Sequence, residues 1–142
     1  MLLVPERSKC EKHQKIVVSK DNGNSREHRA INPHGRNSLR HYKLDGELVL
    51  QEKCCDYLLI NDSTQKAYLI ELKGGNVAEA IPQLKAAEQK VKNELLNYSF
   101  FYRIIASKAR THEIKKNEFR KFQEQCGSKL VCKVGVFEET LE

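Results

Sequence analysis

Two apolar, β-prone runs separated by a polar stretch constrain the fold of this chain most strongly. The runs are Tyr-Leu-Leu-Ile at residues 57–60 and Ala-Tyr-Leu-Ile-Glu-Leu at residues 67–72, and the polar stretch is Asn-Asp-Ser-Thr-Gln-Lys at residues 61–66. Apolar runs of this length, bounded by Asn, Asp and Ser, are typical of paired strands. The sequence therefore predicts a β-hairpin within residues 52–75, with its turn at residues 61–66.

Charged residues interrupt both runs where a buried strand should be apolar. Asp56 stands at the first run, while Glu71 and Lys73 share one face of the second because side chains alternate along a strand. If Ile60 pairs with Ala67, Asp56 lies directly opposite Glu71. Two facing carboxylates repel each other unless a cation lies between them. Their hard oxygen atoms suit Mg²⁺, so the pattern indicates a divalent metal site.

Length and composition favour one folded domain that spans residues 1–142. The chain is 39% hydrophobic and 31% charged, which is typical of a folded protein rather than a disordered one. We divide it into a basic N-terminal arm at 1–42, a core at 43–137 and a short acidic tail at 138–142, which we expect to be frayed. The net charge of +6 fits a polyanionic partner, and it equally fits a soluble protein with a Lys-rich surface.

The cysteines and the absence of long apolar runs indicate a cytoplasmic protein. Five cysteines are an odd number and show no disulfide or zinc spacing, so we interpret them as reduced thiols. No apolar run approaches the roughly 20 residues that a membrane-spanning helix needs. We therefore expect no membrane association.

The rest of the chain alternates between strand and helix patterns. Apolar residues recur at helical spacing through residues 77–97, and Pro82 is tolerated only in a first turn, so this helix should begin near residues 79–81. The other predicted elements are a strand at 16–19, a helical turn at 25–31 with Ser25 as its N-cap, strands at 39–44 and 47–50 joined by Asp45-Gly46, a strand at 99–106, a helix at 115–126 and a strand at 130–137.

The spacing of Asp56, Glu71 and Lys73 resembles that of a known family of nucleases. An Asp at one strand, Glu-x-Lys fifteen residues later at the end of the next strand, a glycine and then an amphipathic helix resemble the PD-(D/E)XK nuclease superfamily. This superfamily includes restriction endonucleases and Holliday-junction resolvases. The resemblance covers residues 43–107. It implies an α/β (α+β) restriction-endonuclease-like fold, in which helices flank a mixed central β-sheet in the order β-β-β-α-β-α-β.

The resemblance also implies a role for each residue of the motif. Asp56, Glu71 and the backbone carbonyl of Leu72 would bind Mg²⁺ or Mn²⁺, and Lys73 would help to activate the attacking water. The implied activity is hydrolysis of phosphodiester bonds in nucleic acid, with DNA preferred to RNA. The alternative for these side chains is a salt bridge at a strand end, between Lys73 and one of the two carboxylates.

Several further positions resemble the family less closely. Gln83 matches a helical Gln that some members place near the metal, and it equally fits an exposed helix residue. The family's N-terminal acidic ligand has three candidates, Glu27, Glu47 and Glu52, of which Glu27 is preferred because it lies in the predicted upstream helical turn. The long first helix of the family is not evident here. The candidate nucleic-acid contacts are Arg26, Arg29, Arg36, Arg40 and Lys85.

Two function hypotheses from different classes follow. The first is the metal-dependent nuclease. The second is a catalytically inactive nuclease-fold module that binds nucleic acid or a partner protein. Because the chain is small for the superfamily, a homodimer or a partner protein is expected to complete its working surface. Roles in repair and in defence would use the same site and stay open.

Overall fold

A five-stranded sheet contains the predicted hairpin, and a second sheet of three strands covers one of its faces. The structure is a computed structural model that describes residues 1–21, 26–107 and 117–142. Its strands and α-helices are β1 Ile16–Lys20, β2 Glu27–Ile31, β3 Leu39–Lys43, β4 Tyr57–Asn61, β5 Lys66–Lys73, α1 Ala80–Val91, β6 Ser99–Ala106, α2 Asn117–Cys126, β7 Leu130–Val134 and β8 Val136–Thr140. The chain is therefore a mixed α/β (α+β) protein with two sheets.

The five-stranded sheet has the order β3-β4-β5-β6-β7. Strands β3, β4 and β5 form an antiparallel meander, whereas β6 and β7 run parallel to β5. A parallel neighbour needs a crossover, and α1 supplies it between β5 and β6. The predicted hairpin and its register are confirmed, since Ile60 pairs with Ala67.

Helix α1 packs on the face of this sheet that carries Leu58, Ile60 and Leu69. The prediction that the helix begins near residues 79–81 is confirmed, and Pro82 occupies its first turn, where a missing N–H leaves no hydrogen bond unmade. The positions predicted for its apolar face are all buried: Val77, Ile81, Leu84, Ala87, Val91 and Leu95. The sequence pattern therefore located the main core correctly.

The second sheet has the order β1-β2-β8 and packs on the opposite face of the five-stranded sheet. The helical turn predicted at residues 25–31 is wrong, because residues 27–31 form β2 with the two-residue alternation of a strand, in which His28 and Ala30 are buried. Its proposed N-cap, Ser25, lies outside the described residues. The predicted arm at 1–42 thus contributes β1 and β2 to the second sheet and most of β3 to the first.

The acidic tail is also ordered. The prediction of a frayed segment at 138–142 is wrong, because Val136–Thr140 forms β8, which pairs in parallel with β2, and Leu141 is buried. Glu139 accepts hydrogen bonds from the buried Arg103 of β6 (2.7 and 3.0 Å) and from His28 of β2 (2.5 Å). This network ties the second sheet to the first.

Two glycines turn the chain where the sequence analysis predicts strands that the structure lacks or divides. Residues 47–50 do not form the second strand of a hairpin; Gly46 adopts φ +86° in a tight loop, and β3 pairs with β4 instead. The predicted strand at 130–137 is divided at Gly135, whose φ of +80° turns the chain from the first sheet into the second. Both glycines occupy the left-handed region that other residues avoid.

The predicted strand at 99–106 is confirmed as β6, and the predicted helix at 115–126 corresponds to α2 from Asn117 onward. Residues 115 and 116 lie outside the described residues. Across the described residues, no helix is both long and apolar enough to span a membrane.

Candidate catalytic site at the ends of β4 and β5

Asp56 and Glu71 meet at the edge of the β4–β5 pair. The register that joins Tyr57 to Ile70 places Asp56, one residue earlier, opposite Glu71. The Asp56 N–H donates a hydrogen bond to Glu71 Oε1 (3.1 Å), and the Leu72 N–H donates one to Asp56 Oδ2 (2.9 Å). The backbone thus holds both carboxyl groups at one place on the helix-covered face of the sheet.

The environment of Glu71 disfavours a second negative charge. Its side chain is buried, with 3% of the residue exposed. Burial raises the pKa of Glu71 most, the Asp56 carboxylate raises it further, and the opposing effect of Lys73 is smaller, so that the pKa is about 9. At neutral pH, Glu71 therefore retains its proton unless a cation binds beside it.

Two lysines lie next to the carboxyl pair. Lys73 follows Glu71 on the same face of β5, and its Nζ is 3.3 Å from the exposed carboxylate of Glu79. Among the described residues, Lys73 forms its ion pair with Glu79. The salt bridge to Asp56 or Glu71, which was the alternative to a catalytic role, is therefore not formed. Lys43, at the end of β3, places its Nζ 3.7 Å from Asp56 Oδ1.

Gln83 and Lys73 line one cavity. The cavity measures about 420 Å³ and is lined by Lys53, Lys73, Glu79, Pro82 and Gln83. Gln83 Oε1 is buried, and it has no hydrogen-bond partner among the described residues. A buried amide oxygen without a partner is costly, so the fold holds this side chain in place at a cost in stability.

The donor atoms at this edge suit a hard cation. Asp56 and Glu71 supply carboxylate oxygens. The Leu72 carbonyl points to the same side as its N–H, toward Asp56, because the two groups of one strand residue face the same neighbour. Over the described ranges, no group of three or more His, Cys, Asp or Glu side chains is placed to hold a metal. Two carboxylates and a carbonyl are ligands of the kind that Mg²⁺ takes, since this ion commonly binds through one or two carboxylates and keeps several waters.

The structure does not bring the candidates for a third acidic ligand to this site. Glu27 lies in β2 and pairs with Arg29 (2.5 Å). Glu47 pairs with Lys9 (2.9 Å). Glu52 is exposed.

Of the cations predicted to contact nucleic acid, Arg26 lies beside the site. Its Nη1 would be only 2.9 Å from a Cβ at Gly74, the residue after Lys73, and its Nη2 pairs with Asp21 (3.0 Å).

The other predicted cations lie elsewhere. Arg40 makes two hydrogen bonds of 2.8 Å to Asp62, beyond the opposite end of β4. Arg29 pairs with Glu27 and Glu138. Arg36 is exposed after the turn at Pro33–Gly35. Lys85 lies over the Phe122 ring of α2 (5.5 Å).

Sequence reasoning missed Lys43 and Lys53. Lys43 reaches Asp56 because β3 pairs with β4, with Lys43 opposite Tyr57. The sequence analysis paired that strand with residues 47–50 and so placed Lys43 in another hairpin. Lys53 lies in an irregular segment whose position no periodicity indicates.

Comparisons of the chain with protein-family models, with curated proteins and with solved structures gave no match. The chemistry of the site is therefore argued from the residues and geometry of this chain.

Proposed function

We propose that the protein is a metal-dependent nuclease of the PD-(D/E)XK type that hydrolyses phosphodiester bonds of nucleic acid, with DNA as the preferred substrate. The observation that carries the proposal is the pair of opposed carboxyl groups, Asp56 and Glu71, with the pKa of Glu71 raised to about 9. Two facing carboxyl groups cost stability when both are ionised, and a divalent cation bound between them would remove that cost. The element order from β3 to β7, which is three strands, a helix, a strand, a helix and a strand, supports the proposal because it is the order that the resemblance implies.

Each residue of the site has a role in this chemistry. Asp56, Glu71 and the Leu72 carbonyl would hold Mg²⁺ or Mn²⁺, which, when bound, supplies Lewis acidity and lowers the pKa of a bound water. The Lys73 ammonium, on the open side of Glu71, orients the attacking water and stabilises the charge that develops on the phosphate. Gln83 lines the same cavity as Lys73 and would position water there.

The alternative is a catalytically inactive module of the same fold that binds nucleic acid or a partner protein. Two observations favour it: Lys73 is engaged by Glu79, and the described residues bring no third acidic side chain to Asp56 and Glu71. Under either proposal, we expect a cytoplasmic protein that acts as a homodimer or with a partner protein.

Metal-dependent cleavage separates the two functions. Plasmid DNA, single-stranded DNA and RNA would be incubated with Mg²⁺, Mn²⁺ or EDTA. We expect cutting that requires the metal and falls at least about 100-fold in Lys73→Ala, the size of loss seen when one charge-stabilising group is removed. Lys66→Ala is the matched control, because Lys66 lies at the other end of the same strand.

Failure of the wild-type protein to cut any of the three substrates with either metal would contradict the nuclease proposal and favour the inactive module. Equal loss of cutting in Lys66→Ala and Lys73→Ala would contradict the role assigned to Lys73.

A further inference from the structure

A second cavity, whose lining residue Lys43 reaches Asp56, contains three lysines that the catalytic proposal does not use. It measures about 370 Å³ and is lined by Lys9, Lys20, Asp21, Lys43, Glu47 and Tyr57, and we call it the lysine cavity. Its lysines come from three places in the chain: the segment before β1, the end of β1 and the end of β3. The fold, rather than local sequence, brings these three charges together.

Contacts with the surrounding structure hold the cavity in place. The Tyr57 hydroxyl donates a hydrogen bond to the Lys20 carbonyl (2.8 Å), and the Tyr57 ring stacks on the buried His41 (5.1 Å between centroids). Lys43 Nζ donates to the Asp45 carbonyl (2.8 Å) and lies 5.1 Å from the centre of the Tyr57 ring. The aromatic ring is thus already packed, and the groups left to bind a ligand are ammonium groups.

The two acidic residues of the cavity are already paired. Asp21 pairs with Arg26 (3.0 Å), and Glu47 pairs with Lys9 (2.9 Å). Lys20, by contrast, has no ion pair within the described residues. The cavity therefore keeps an uncompensated positive charge, which suits an anion.

Arg26 connects the lysine cavity to the end of β5. Its guanidinium lies against Gly74 on one side and pairs with Asp21 on the other. The Nε atom of Arg26 is buried and has no hydrogen-bond partner in the described part of the chain. Arg26 consequently lies between the segment that carries Lys73 and the segment that carries Lys20. Lys73 and Arg26 are paired with Glu79 and Asp21, so Lys20 supplies the charge that has no ion pair in the described residues.

We propose that the lysine cavity binds a backbone phosphate of a nucleic-acid strand, next to the phosphate that reaches Asp56 and Glu71. Lys20 and Lys43 donate to its oxygens, and Lys43, 3.7 Å from Asp56, is the link between the two positions. The choice of a nucleic-acid ligand rests on the proposed function. The nucleic-acid strand then crosses the edge where the two sheets end. It does not follow residues 36–40 of the predicted basic arm.

The test is binding of a fluorescein-labelled DNA duplex of about 20 base pairs, measured by anisotropy in EDTA at several salt concentrations. We expect Lys20→Ala to bind about tenfold more weakly than wild type and to lower the salt slope of log Kd by about 1, since one phosphate contact is lost. Lys20→Arg, which keeps the charge, should bind within about twofold of wild type. Lys66→Ala, at the far end of β5, is the matched control and should also bind the duplex within about twofold of wild type.

The result that overturns this inference is equal affinity and equal salt slope for Lys20→Ala, Lys66→Ala and wild type; failure of the wild-type protein to bind the duplex overturns it as well. Because EDTA prevents metal-dependent cutting, binding is read separately from catalysis. Binding that depends on Lys20 in a protein that never cuts would support the cavity and contradict the nuclease. Cutting by wild type with binding indifferent to Lys20 would contradict the cavity alone.

Discussion

Replacement of Glu71 by Gln should stabilise the metal-free protein at neutral pH. Glu71 is 3% exposed, and its pKa is raised to about 9 in the folded chain from an ordinary value of 4.5. Between these two pH values the folded chain holds a proton that the unfolded chain has released. Wild-type stability must therefore fall as the pH rises from 4.5 to 9.

The magnitude follows from the same values. At pH 7, which is 2.5 pH units above 4.5, retention of the proton costs the wild-type fold about 3 kcal/mol, at 1.36 kcal/mol for each unit. Gln is nearly the same size, is neutral, and still accepts the hydrogen bond from the Asp56 N–H. Glu71→Gln should thus gain up to about 3 kcal/mol at pH 7 and almost nothing near pH 4.5.

Bound metal should reduce the stability advantage of Glu71→Gln. A divalent cation binds the ionised carboxylate, so millimolar Mg²⁺ stabilises wild type by mass action, whereas Gln offers the cation no charge. The stability difference between the two proteins at pH 7 should therefore narrow when Mg²⁺ replaces EDTA.

The assay is urea unfolding followed by circular dichroism at pH 5 and pH 7, in EDTA and in Mg²⁺. Glu79→Gln is the control, because Glu79 is a solvent-exposed carboxylate beside the same site and its change should stay within about 0.5 kcal/mol. The reasoning is refuted if Glu71→Gln is less stable than wild type at pH 7 in EDTA, or if the difference between them is the same at both pH values.

Two further substitutions test the ion pair that joins the two sheets and the position of Arg26 beside β5. Glu139→Gln should destabilise the fold by about 3 kcal/mol at pH 7, because it leaves a buried arginine without its partner, and Glu138→Gln is the exposed control for the same unfolding measurement. Burial raises the pKa of Glu139, but hydrogen bonds from its partners outweigh burial and lower the pKa to about 2. Wild type should therefore lose the stabilisation from Glu139 as the pH falls from 4.5 through 2. Glu139→Gln has no carboxyl group at this position and should not show that loss. Gly74→Ala should displace the Arg26 guanidinium and weaken DNA binding severalfold in the anisotropy assay. Gly75→Ala is the control and should bind DNA as wild type does, because an added Cβ there meets no atom within 4 Å. Equal binding by both variants would contradict the placement of Arg26.

Short-range sequence patterns were sufficient to predict the central part of the fold. The hairpin register, the start of α1 and the strand after it depend on alternation, helical spacing and turn residues, which lie within short stretches of sequence. Because the register follows from the turn, the meeting of Asp56 and Glu71 could be predicted as well, together with the position of Lys73 on the same face of β5.

The second sheet could not be predicted in this way. Strand β2 pairs with β8, from the opposite end of the chain, and no local periodicity encodes such a pairing. Ser25 as an N-cap predicts a helical turn at residues 25–31, and Glu27 is the preferred third acidic ligand for that reason. The lysine cavity depends on the same long-range packing, so its members could not be grouped from sequence.

The most direct test of the central claim is a titration of the metal-free protein with Mn²⁺, followed by electron paramagnetic resonance. The account predicts one Mn²⁺ bound per chain in wild type, with binding lost in both Asp56→Asn and Glu71→Gln. Binding should strengthen with pH between 6 and 9, since the pKa of Glu71 is about 9 and the metal displaces its proton. Absence of a Mn²⁺ site in wild type, or unchanged binding in the two variants, would contradict the account.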